Sequence, residues 1–244
     1  MDEQIIIRFD HVSKVYGEHV VLKDFSFEIA RGEFITVIGS SGSGKTTMLK
    51  MINGLLTPTR GTVYVNGKDI SKENQTLLRR RIGYVIQGIG LFPHMSVRKN
   101  ITYVPELLGK QAKKQIGGRV EKLMKMVGLE EEMLDRYPAE LSGGQRQRVG
   151  IARSLAANPE ILLMDEPFGA VDEITRKMLQ AEIGRIHKEL EVTIVFITHD
   201  IKEALKLGDR VLVMSNGEIE QVATSEEIRN HPATAFVEEL VANC

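Results

Sequence analysis

The fold is decided by residues 34–50, which read FITVIGSSGSGKTTMLK. An apolar, β-branched run leads into a loop of glycines and serines, and a segment of helical period follows the loop's last residues, Lys45 and Thr46. The loop fits the phosphate-binding P-loop pattern at every fixed position, in the strand-to-helix context that this pattern requires. Its glycines let backbone N–H groups surround phosphate oxygens, and the next helix directs its positive N-terminal end at the same anion. We therefore predict a nucleotide site.

The lysine and the threonine of this loop have distinct expected roles. Lys45 supplies a positive charge to the β- and γ-phosphates, and the Thr46 hydroxyl ligates Mg²⁺. The alternative is a merely flexible loop, but a chance match to the pattern is expected in only about one chain in a hundred of this length. The residues predicted to bind the nucleotide here are Gly39, Ser40, Ser41, Gly42, Ser43, Gly44, Lys45, Thr46 and Thr47.

Two carboxylates follow a second apolar run, because residues 161–164 read ILLM and precede Asp165 and Glu166. Ligands of open α/β sheets bind at the carboxyl ends of the strands. We therefore expect Asp165 in the coordination shell of Mg²⁺ and Glu166 beside the attacking water. Taken alone, the pair could equally be an acidic turn after a core strand. The P-loop in the same chain favours the catalytic interpretation.

A third apolar strand, residues 192–198, is followed by His199. A lone histidine at a strand end is usually a structural or surface residue. Here the strand end is expected at the edge of the sheet where the phosphate chemistry occurs, so we interpret His199 as a sensor of the γ-phosphate.

Residues 141–148 read LSGGQRQR. Ser142 is expected to cap the helix that follows, and Gly143 and Gly144 leave backbone N–H groups accessible beside it. One explanation is an ordinary capped helix. The other is a second anion-binding helix start, which addresses a nucleotide held by another molecule.

The pattern of apolar runs predicts an α/β fold with a P-loop NTPase core, since short, wholly apolar strands alternate with helical segments and indicate a mostly parallel sheet. An N-terminal antiparallel lobe is expected from residues 5–10, 20–29 and 61–65 and from the turn signal Asn66-Gly67. A helical insertion is expected between about residues 88 and 150. The predicted core strands are residues 34–38, 81–86, 161–164, 192–198 and 211–214, and the predicted helices are residues 46–56, 149–156, 176–190 and 202–207.

The bulk composition is that of a globular protein. The 244 residues carry a formal net charge of −1, so no general attraction to nucleic acid or anionic lipid is expected. The single cysteine, Cys244, precludes an intrachain disulfide and suits a reducing cytosol. The acidic start does not read as a signal peptide, and no apolar run approaches the roughly 18 residues that cross a bilayer. Any membrane role is therefore expected to come through a partner.

Together the motifs resemble the ABC ATPase family, and the resemblance covers nearly the whole chain. Residues 39–46 look like its Walker A motif and residues 161–166 like its Walker B motif. Residues 141–145, LSGGQ, match in full the signature that separates this family from other P-loop proteins. The resemblance implies a single ABC ATPase domain over residues 1–244. Its antiparallel lobe and RecA-like core would occupy about 1–87 and 155–244, and its helical subdomain about 88–154.

Further residues match the family's functional positions. Gln87 looks like the Q-loop glutamine, His199 like the switch histidine, and Asp172 like the aspartate of the D-loop. Tyr16 stands where the family places an aromatic ring against adenine. The implied catalytic residues are Glu166, His199, Gln87 and Lys45, and the implied metal ligands are Thr46, Gln87 and Asp165.

The resemblance also implies a dimer. Two copies stack head to tail, and each ATP lies between Walker A of one copy and the signature of the other. Ser142, Gly143, Gly144 and Gln145 would therefore act on the nucleotide of the partner copy, while Glu166 would orient or deprotonate water. This agrees with phosphoryl transfer, in which positioning and charge stabilisation carry most of the catalysis.

Three segments resemble a particular branch of bacterial importers, which serves osmoprotectants such as glycine betaine, choline and carnitine. They are residues 87–97 (QGIGLFPHMSV), 168–176 (FGAVDEITR) and 235–240 (AFVEEL). This implies integral membrane permease subunits, an indirect link to a solute-binding protein, a place at the cytoplasmic face of the membrane, and no nucleic-acid partner. Many members of the branch carry a pair of CBS domains after the ATPase, and this chain stops about where such domains would start.

Two alternatives remain open at this point. One is an importer of amino acids or other polar solutes. The other is a non-transport ABC ATPase of DNA maintenance or of the ribosome. The interval between Walker A and the signature disfavours a DNA-maintenance protein, since it holds only a compact helical segment without sustained heptads. The single cassette disfavours a ribosomal role.

Overall fold

The computed structural model describes residues 4–88, 90–169 and 171–242. Three residues named or quoted above, Ile89, Ala170 and Cys244, lie outside the described residues. The chain divides into two compact units. The first is formed by the chain up to Arg79 together with the chain from Glu191 onward, and the second by Arg80–Leu190. The expected domain boundaries near residues 87 and 154 stay a prediction.

Ten strands and ten α-helices lie within the described residues. In chain order they are β1 (Ile5–Tyr16), β2 (His19–Ala30), β3 (Phe34–Gly39), α1 (Lys45–Ile52), β4 (Arg60–Val65), β5 (Lys68–Asp69), α2 (Gln75–Arg81), β6 (Ile82–Val85), α3 (Val97–Leu108), α4 (Lys110–Gly117), α5 (Val120–Met126), α6 (Gly143–Leu155), β7 (Ile161–Asp165), α7 (Glu173–Leu190), β8 (Thr193–Ile197), α8 (Ile201–Leu207), β9 (Arg210–Ser215), β10 (Glu218–Ala223), α9 (Ser225–Asn230) and α10 (Ala235–Ala242). This alternation of strands and helices confirms the predicted α/β class.

The first unit contains the predicted antiparallel lobe, a sheet of strand order β2-β1-β4-β5. Phe9 on β1 and Phe25 on β2 are buried and meet edge to face, with ring centroids 5.2 Å apart. Strands β4 and β5 are joined by Asn66-Gly67, whose φ angles of 51° and 72° are both positive. A two-residue hairpin turn of this type matches the right-handed twist of the strands. The turn signal in the sequence is therefore confirmed.

The parallel strands of the first unit place the P-loop. Strand β3 pairs in parallel with β8 on one side and β9 on the other, and β10 pairs antiparallel with β9. Every residue of β8 is buried, as is β3 up to Ile38, which explains why both strands read as continuous apolar runs. Helices α1 and α8 pack against β3. The carboxyl end of β3 therefore opens into the loop before α1.

The second unit is built on β6 and β7, which pair in parallel with Val85 opposite Met164. Helix α6 packs against β6 and also contacts α3 and α5. The approach of α6 to β6 is close, because a Cβ on Gly83 would lie 2.5 Å from the carbonyl oxygen of Ser154. This contact fixes the end of α6 against the sheet.

Several predicted boundaries are wrong. The helix predicted over residues 46–56 ends at Ile52, because Asn53 caps it and Gly54 turns into the left-handed region at φ 65°. The strand predicted from residue 81 begins at Ile82, since Arg81 ends α2. Helix α6 begins at Gly143, directly after the expected cap Ser142 and six residues before the segment of helical period read from the sequence. Helix α2 was not predicted, and none of its residues is buried, so it offers no apolar period to detect.

A matched pair of glycines tests the packing of β4 against β1. Gly61 and Gly67 have nearly the same φ, 77° and 72°, but a Cβ on Gly61 would lie 2.2 Å from the His11 carbonyl oxygen, whereas Gly67 has nothing within 4 Å. Gly67→Ala should lower the free energy of unfolding by about 1–2 kcal/mol, the cost of the left-handed conformation alone. Gly61→Ala should lower it by roughly 3 kcal/mol or more, because overpacking against backbone adds to that strain.

Urea unfolding followed by circular dichroism measures both variants against the unsubstituted chain. Equal losses for Gly61→Ala and Gly67→Ala would contradict the close approach of the two strands.

Candidate nucleotide site

Two glycines fix the backbone of the loop between β3 and α1. Gly39 has φ 150°, and a Cβ there would lie 1.9 Å from the carbonyl oxygen of Met214 on β9. Gly44, directly before α1, has φ 96°, and its Cβ would lie 2.9 Å from the carbonyl oxygen of Val21. A side chain at either position would force two backbone segments apart. Both positions therefore require glycine.

Lys45 begins α1, and its side chain turns back inside the loop. Its Nζ donates hydrogen bonds to the carbonyl oxygens of Gly39 at 2.9 Å and Ser40 at 2.8 Å, and it lies 3.4 Å from the Ser43 hydroxyl. The residue is only 6% exposed, and a buried ammonium group is costly unless acceptors hold it. The loop thereby keeps a positive charge at the start of a helix, where an anion is also favoured by the backbone N–H groups.

The outer part of the loop is open. Ser41 and Gly42 are exposed, and nothing lies within 4 Å of a Cβ placed on Gly42. Thr46 and Thr47 are half-buried in the first turn of α1. The open tip above a buried lysine has the shape and the charge that a chain of phosphates requires, so the residues predicted from the sequence fit this ligand.

His199 lies at the same edge of the sheet as the phosphate loop. Strand β8 pairs in parallel with β3, with Ile197 opposite Val37, so both strands end at one edge. His199 is exposed at this end, and the next residue, Asp200, caps α8 by accepting hydrogen bonds from the N–H groups of Lys202 and Glu203. The first unit therefore brings the predicted γ-phosphate sensor to the edge of the sheet that carries the loop.

In the second unit the structure brings Gln87 and Glu166 together. The Nε2 of Gln87 donates a hydrogen bond to Oε2 of Glu166 at 3.1 Å, although the two residues are 79 positions apart. Glu166 follows the fully buried strand β7 and has φ 49°, a left-handed conformation that a glutamate adopts only at a cost of about 1–3 kcal/mol. Strain of this kind is concentrated at functional sites. The carboxylate is thus held in one orientation by its backbone and by Gln87.

The predicted metal ligands offer the oxygen atoms that Mg²⁺ prefers. Asp165 is buried at 1% exposure at the end of β7. On the neighbouring strand, burial raises the pKa of the Tyr84 hydroxyl, and the negative charge of Asp165 raises it further. Asp165, Thr46 and Gln87 each offer an oxygen atom, from a carboxylate, a hydroxyl and an amide respectively, and these are ligand types that suit Mg²⁺. The described residues contain no cluster of three or more His, Cys, Asp or Glu that could hold a metal by themselves.

The signature segment begins α6 with a reciprocal cap. The Ser142 hydroxyl accepts a hydrogen bond from the backbone N–H of Gln145 at 3.2 Å, and the Gln145 side-chain oxygen accepts one from the backbone N–H of Ser142 at 2.8 Å. This capping box leaves Gly143 and Gly144 in the first helical turn. The expected helix cap is therefore present, and the first turn carries no side chain beyond Cα for two residues.

Two further predicted residues make local contacts of their own. Asp172 accepts a hydrogen bond from the backbone N–H of Thr175 at 3.0 Å, and this bond is the main reason that its pKa is lowered. Tyr16 ends β1 and is 47% exposed, with the Lys14 ammonium 4.9 Å from its ring centroid. A ring exposed to this extent is free to stack on a flat ligand.

Sequence reasoning missed two arginines of α6 that contact neighbouring segments. Arg148 donates to the carbonyl oxygen of Gly128 at 2.6 Å, and Arg153 donates to that of Gly90 at 2.8 Å. The signal in the sequence was the presence of these two arginines among the mostly apolar residues of this helix.

No helix among the described residues has both the length and the apolar character needed to span a membrane.

Comparison with known proteins gives consistent matches. A family model described as ABC transporter matches residues 22–169. The chain is 52% identical over 237 residues to the carnitine transport ATP-binding protein OpuCA of Listeria monocytogenes, covering 97% of this chain and 59% of the relative. It is 50% identical to the glycine betaine/carnitine/choline transport ATP-binding protein OpuCA of Bacillus subtilis, covering 97% and 62%. The chain thus spans about six-tenths of the length of these curated relatives.

A solved structure has the same fold. The ATP-binding cassette MJ0796, in a dimeric post-hydrolysis state bound to ADP and Pi, superposes with a TM-score of 0.83 at 34% identity. The match covers 90% of this chain and 99% of that chain. It confirms the predicted P-loop α/β fold.

Proposed function

The chain belongs to the ABC transporter family, and we propose that it is the ATP-hydrolysing subunit of an importer that takes up a small polar solute. The observation that carries the hydrolytic part is the Glu166 carboxylate, which is oriented by Gln87 at the end of a buried strand. A protein that only senses nucleotide needs no carboxylate at this position.

ATP binding rests on the first unit. The Lys45 ammonium and the backbone N–H groups of residues 39–47 hold the phosphates, because a buried cation at a helix start favours an anion beside it. The exposed ring of Tyr16 stacks on the adenine. His199, at the same sheet edge as the loop, donates a hydrogen bond to the γ-phosphate.

Hydrolysis adds the residues of the second unit. Thr46, Asp165 and Gln87 would hold Mg²⁺, and the ion would supply positive charge against the phosphate oxygens. Glu166 orients a water molecule or accepts its proton. The hydrogen bond from Gln87 holds the carboxylate in the orientation that this role requires. Lys45 and His199 stabilise the negative charge that spreads over the phosphate oxygens during transfer.

Two copies of the chain form the working unit. The capped start of α6 presents the backbone N–H groups of Gly143 and Gly144, together with the Ser142 hydroxyl and the Gln145 side-chain amide, to the γ-phosphate held by the other copy. Asp172, whose pKa is lowered by the hydrogen bond from the Thr175 N–H, lies in the segment that the partner copy contacts. The dimeric state of the similar cassette MJ0796 supports this arrangement. Closure around ATP and release after hydrolysis supply the two states that a transporter needs.

The transported solute is an osmoprotectant, such as glycine betaine, carnitine or choline. The support is the similarity to two relatives whose names give carnitine, glycine betaine and choline as their solutes. The chain binds integral membrane permease subunits at the cytoplasmic face of the membrane, and a solute-binding protein delivers the solute to them.

Replacing the proposed base tests the hydrolytic role. Glu166→Gln should retain ATP binding and lower kcat by about 100-fold or more, since an amide cannot accept a proton from water. It should also trap an ATP-bound dimer, which size-exclusion chromatography detects. The matched control is Glu132→Gln, an exposed carboxylate of the same unit, which should keep normal activity. Normal hydrolysis by Glu166→Gln would remove this residue from its role.

Isolation of the native complex tests the transport role. The tagged protein, purified from detergent-solubilised membranes of its source organism, should bring with it a multi-helix membrane protein and a solute-binding protein, both identified by mass spectrometry. The solute-binding protein should bind glycine betaine, carnitine or choline more tightly than amino acids in calorimetry. Recovery of soluble partners alone, such as ribosomal or DNA-maintenance proteins, would contradict the importer assignment but leave the ATPase chemistry standing.

A further inference from the structure

Arg153 is a half-buried cation without a carboxylate partner. It lies in the last turn of α6, and no acidic side chain in the described part of the chain pairs with it. Its Nη1 instead donates a hydrogen bond to the Gly90 carbonyl oxygen at 2.8 Å, and its Cζ lies 5.7 Å from the ring centroid of Phe92. Burial lowers its pKa. Partly desolvating a guanidinium for one carbonyl and one ring is costly compared with leaving it in water.

The groups that Arg153 contacts belong to the segment that follows Gln87. Gln87 is bonded at one end of this segment to Glu166. Gly88 and Gly90 have φ angles of 86° and 49°, and a Cβ on Gly90 would lie 2.3 Å from Cδ1 of Ile86. The positive φ angles favour glycine at both positions, and the Arg153 hydrogen bond is made to the residue three positions after Gln87.

The other end of the segment is anchored to α3. Asn100 is fully buried, its Oδ1 accepts a hydrogen bond from the Phe92 N–H at 2.8 Å, and its Nδ2 donates to the Phe92, Met95 and Ser96 carbonyl oxygens at 3.0–3.1 Å. The Phe92 ring also packs on Tyr103 with centroids 4.7 Å apart. Contacts to both its backbone and its ring thus fix Phe92, and its ring forms a rigid surface against which Arg153 packs.

Helix α6 connects this contact to the signature. Ser142 caps the start of α6, and Arg153 lies in its last turn. The helix has 13 residues, so it is about 20 Å long. A helix packed along its length moves as a rigid rod. A displacement of the segment at Arg153 therefore shifts the capped end of α6. When α6 is fixed, the helix in turn holds the segment in place.

We propose that Arg153 is a positioning residue that ties Gly90 and Phe92, which follow Gln87 in the chain, to α6, so that Gln87 beside Glu166 and the signature at Ser142 move as one body. The inference rests on the proposed function, because it concerns ATP hydrolysis by that site. Arg153 is not one of the residues proposed to hold ATP or to activate water. It makes the orientation of the glutamine depend on the position of the helix that reaches the partner's nucleotide.

A conservative substitution separates this role from simple packing. Arg153→Lys keeps the charge but loses the planar group that can bond a carbonyl and lie over a ring at the same time. We expect kcat for ATP to fall about tenfold while the KM for ATP changes less than twofold, because the phosphate loop is untouched. Phe92→Leu should have the same effect, and the double variant should be no worse than either single one.

The chain contains no tryptophan, so Phe92→Trp introduces a single fluorescent reporter at the contact. Its emission should change on ATP addition in the protein that keeps Arg153, and the change should be lost with Arg153→Lys. The matched control is Arg98→Lys on α3, since Arg98 is exposed and pairs with Glu121 at the surface. It should alter neither kcat nor the emission change.

The outcomes separate the two proposals. Absence of ATPase activity in the unsubstituted protein would overturn the proposed function itself. Normal ATPase in that protein, with kcat unchanged in both Arg153→Lys and Phe92→Leu, would overturn the role of Arg153 alone. A drop in kcat that is fully explained by a lowered melting temperature, with the emission change retained, would reduce Arg153 to a packing residue and also overturn the inference.

Discussion

The ammonium group of Lys45 lies within a loop whose two ends allow no side chain, because Gly39 and Gly44 each meet the backbone of another segment. These contacts fix the path of the loop, and the Gly39 and Ser40 carbonyl oxygens hold the charge inside it. Strand β3 carries the loop to the edge of the sheet; it pairs with β8 and β9 on its two sides, and helices α1 and α8 pack against it. The placement of His199 follows from the same pairing. Most of the first unit is thus arranged around one positive charge.

Contacts within the second unit orient a carboxylate. Glu166 adopts a strained backbone conformation at φ 49°, and its carboxylate accepts a hydrogen bond from Gln87. Neither feature contributes much to the stability of the fold, and the left-handed backbone conformation of a glutamate costs free energy. Their presence at the end of a buried strand is what a site for water activation requires. In the same unit the capping box of Ser142 and Gln145 begins α6, and Gly143 and Gly144 in its first turn are half-buried. Their proposed role is contact with the nucleotide of a second copy.

The sequence predicted the parts of the structure that follow from strong local rules. The P-loop, the Asn66-Gly67 turn and the apolar strand before Asp165 each combine an unusual composition with one physical explanation. The end of α1 was missed although Asn53-Gly54 is a sequence signal for a helix C-terminus, because the apolar period continues through Leu55 and Leu56. The Gln87 to Glu166 bond joins residues 79 positions apart, and no periodicity records such a contact. Arg153 was missed for a similar reason, since its partners are a carbonyl group and a ring rather than an opposite charge.

The central claim is that each ATP lies between the phosphate loop of one copy and the signature of the other. Complementation between two inactive variants tests it most directly. Lys45→Ala removes the charge of the loop, and Gly144→Asp places a negative charge at the signature, where the helix start still accommodates a carboxylate. If the sites form between copies, mixing the two variants creates dimers with one intact site, and ATP hydrolysis should rise well above that of either variant alone. Activity that stays at the level of the separate variants, with mixed dimers present, would contradict the account.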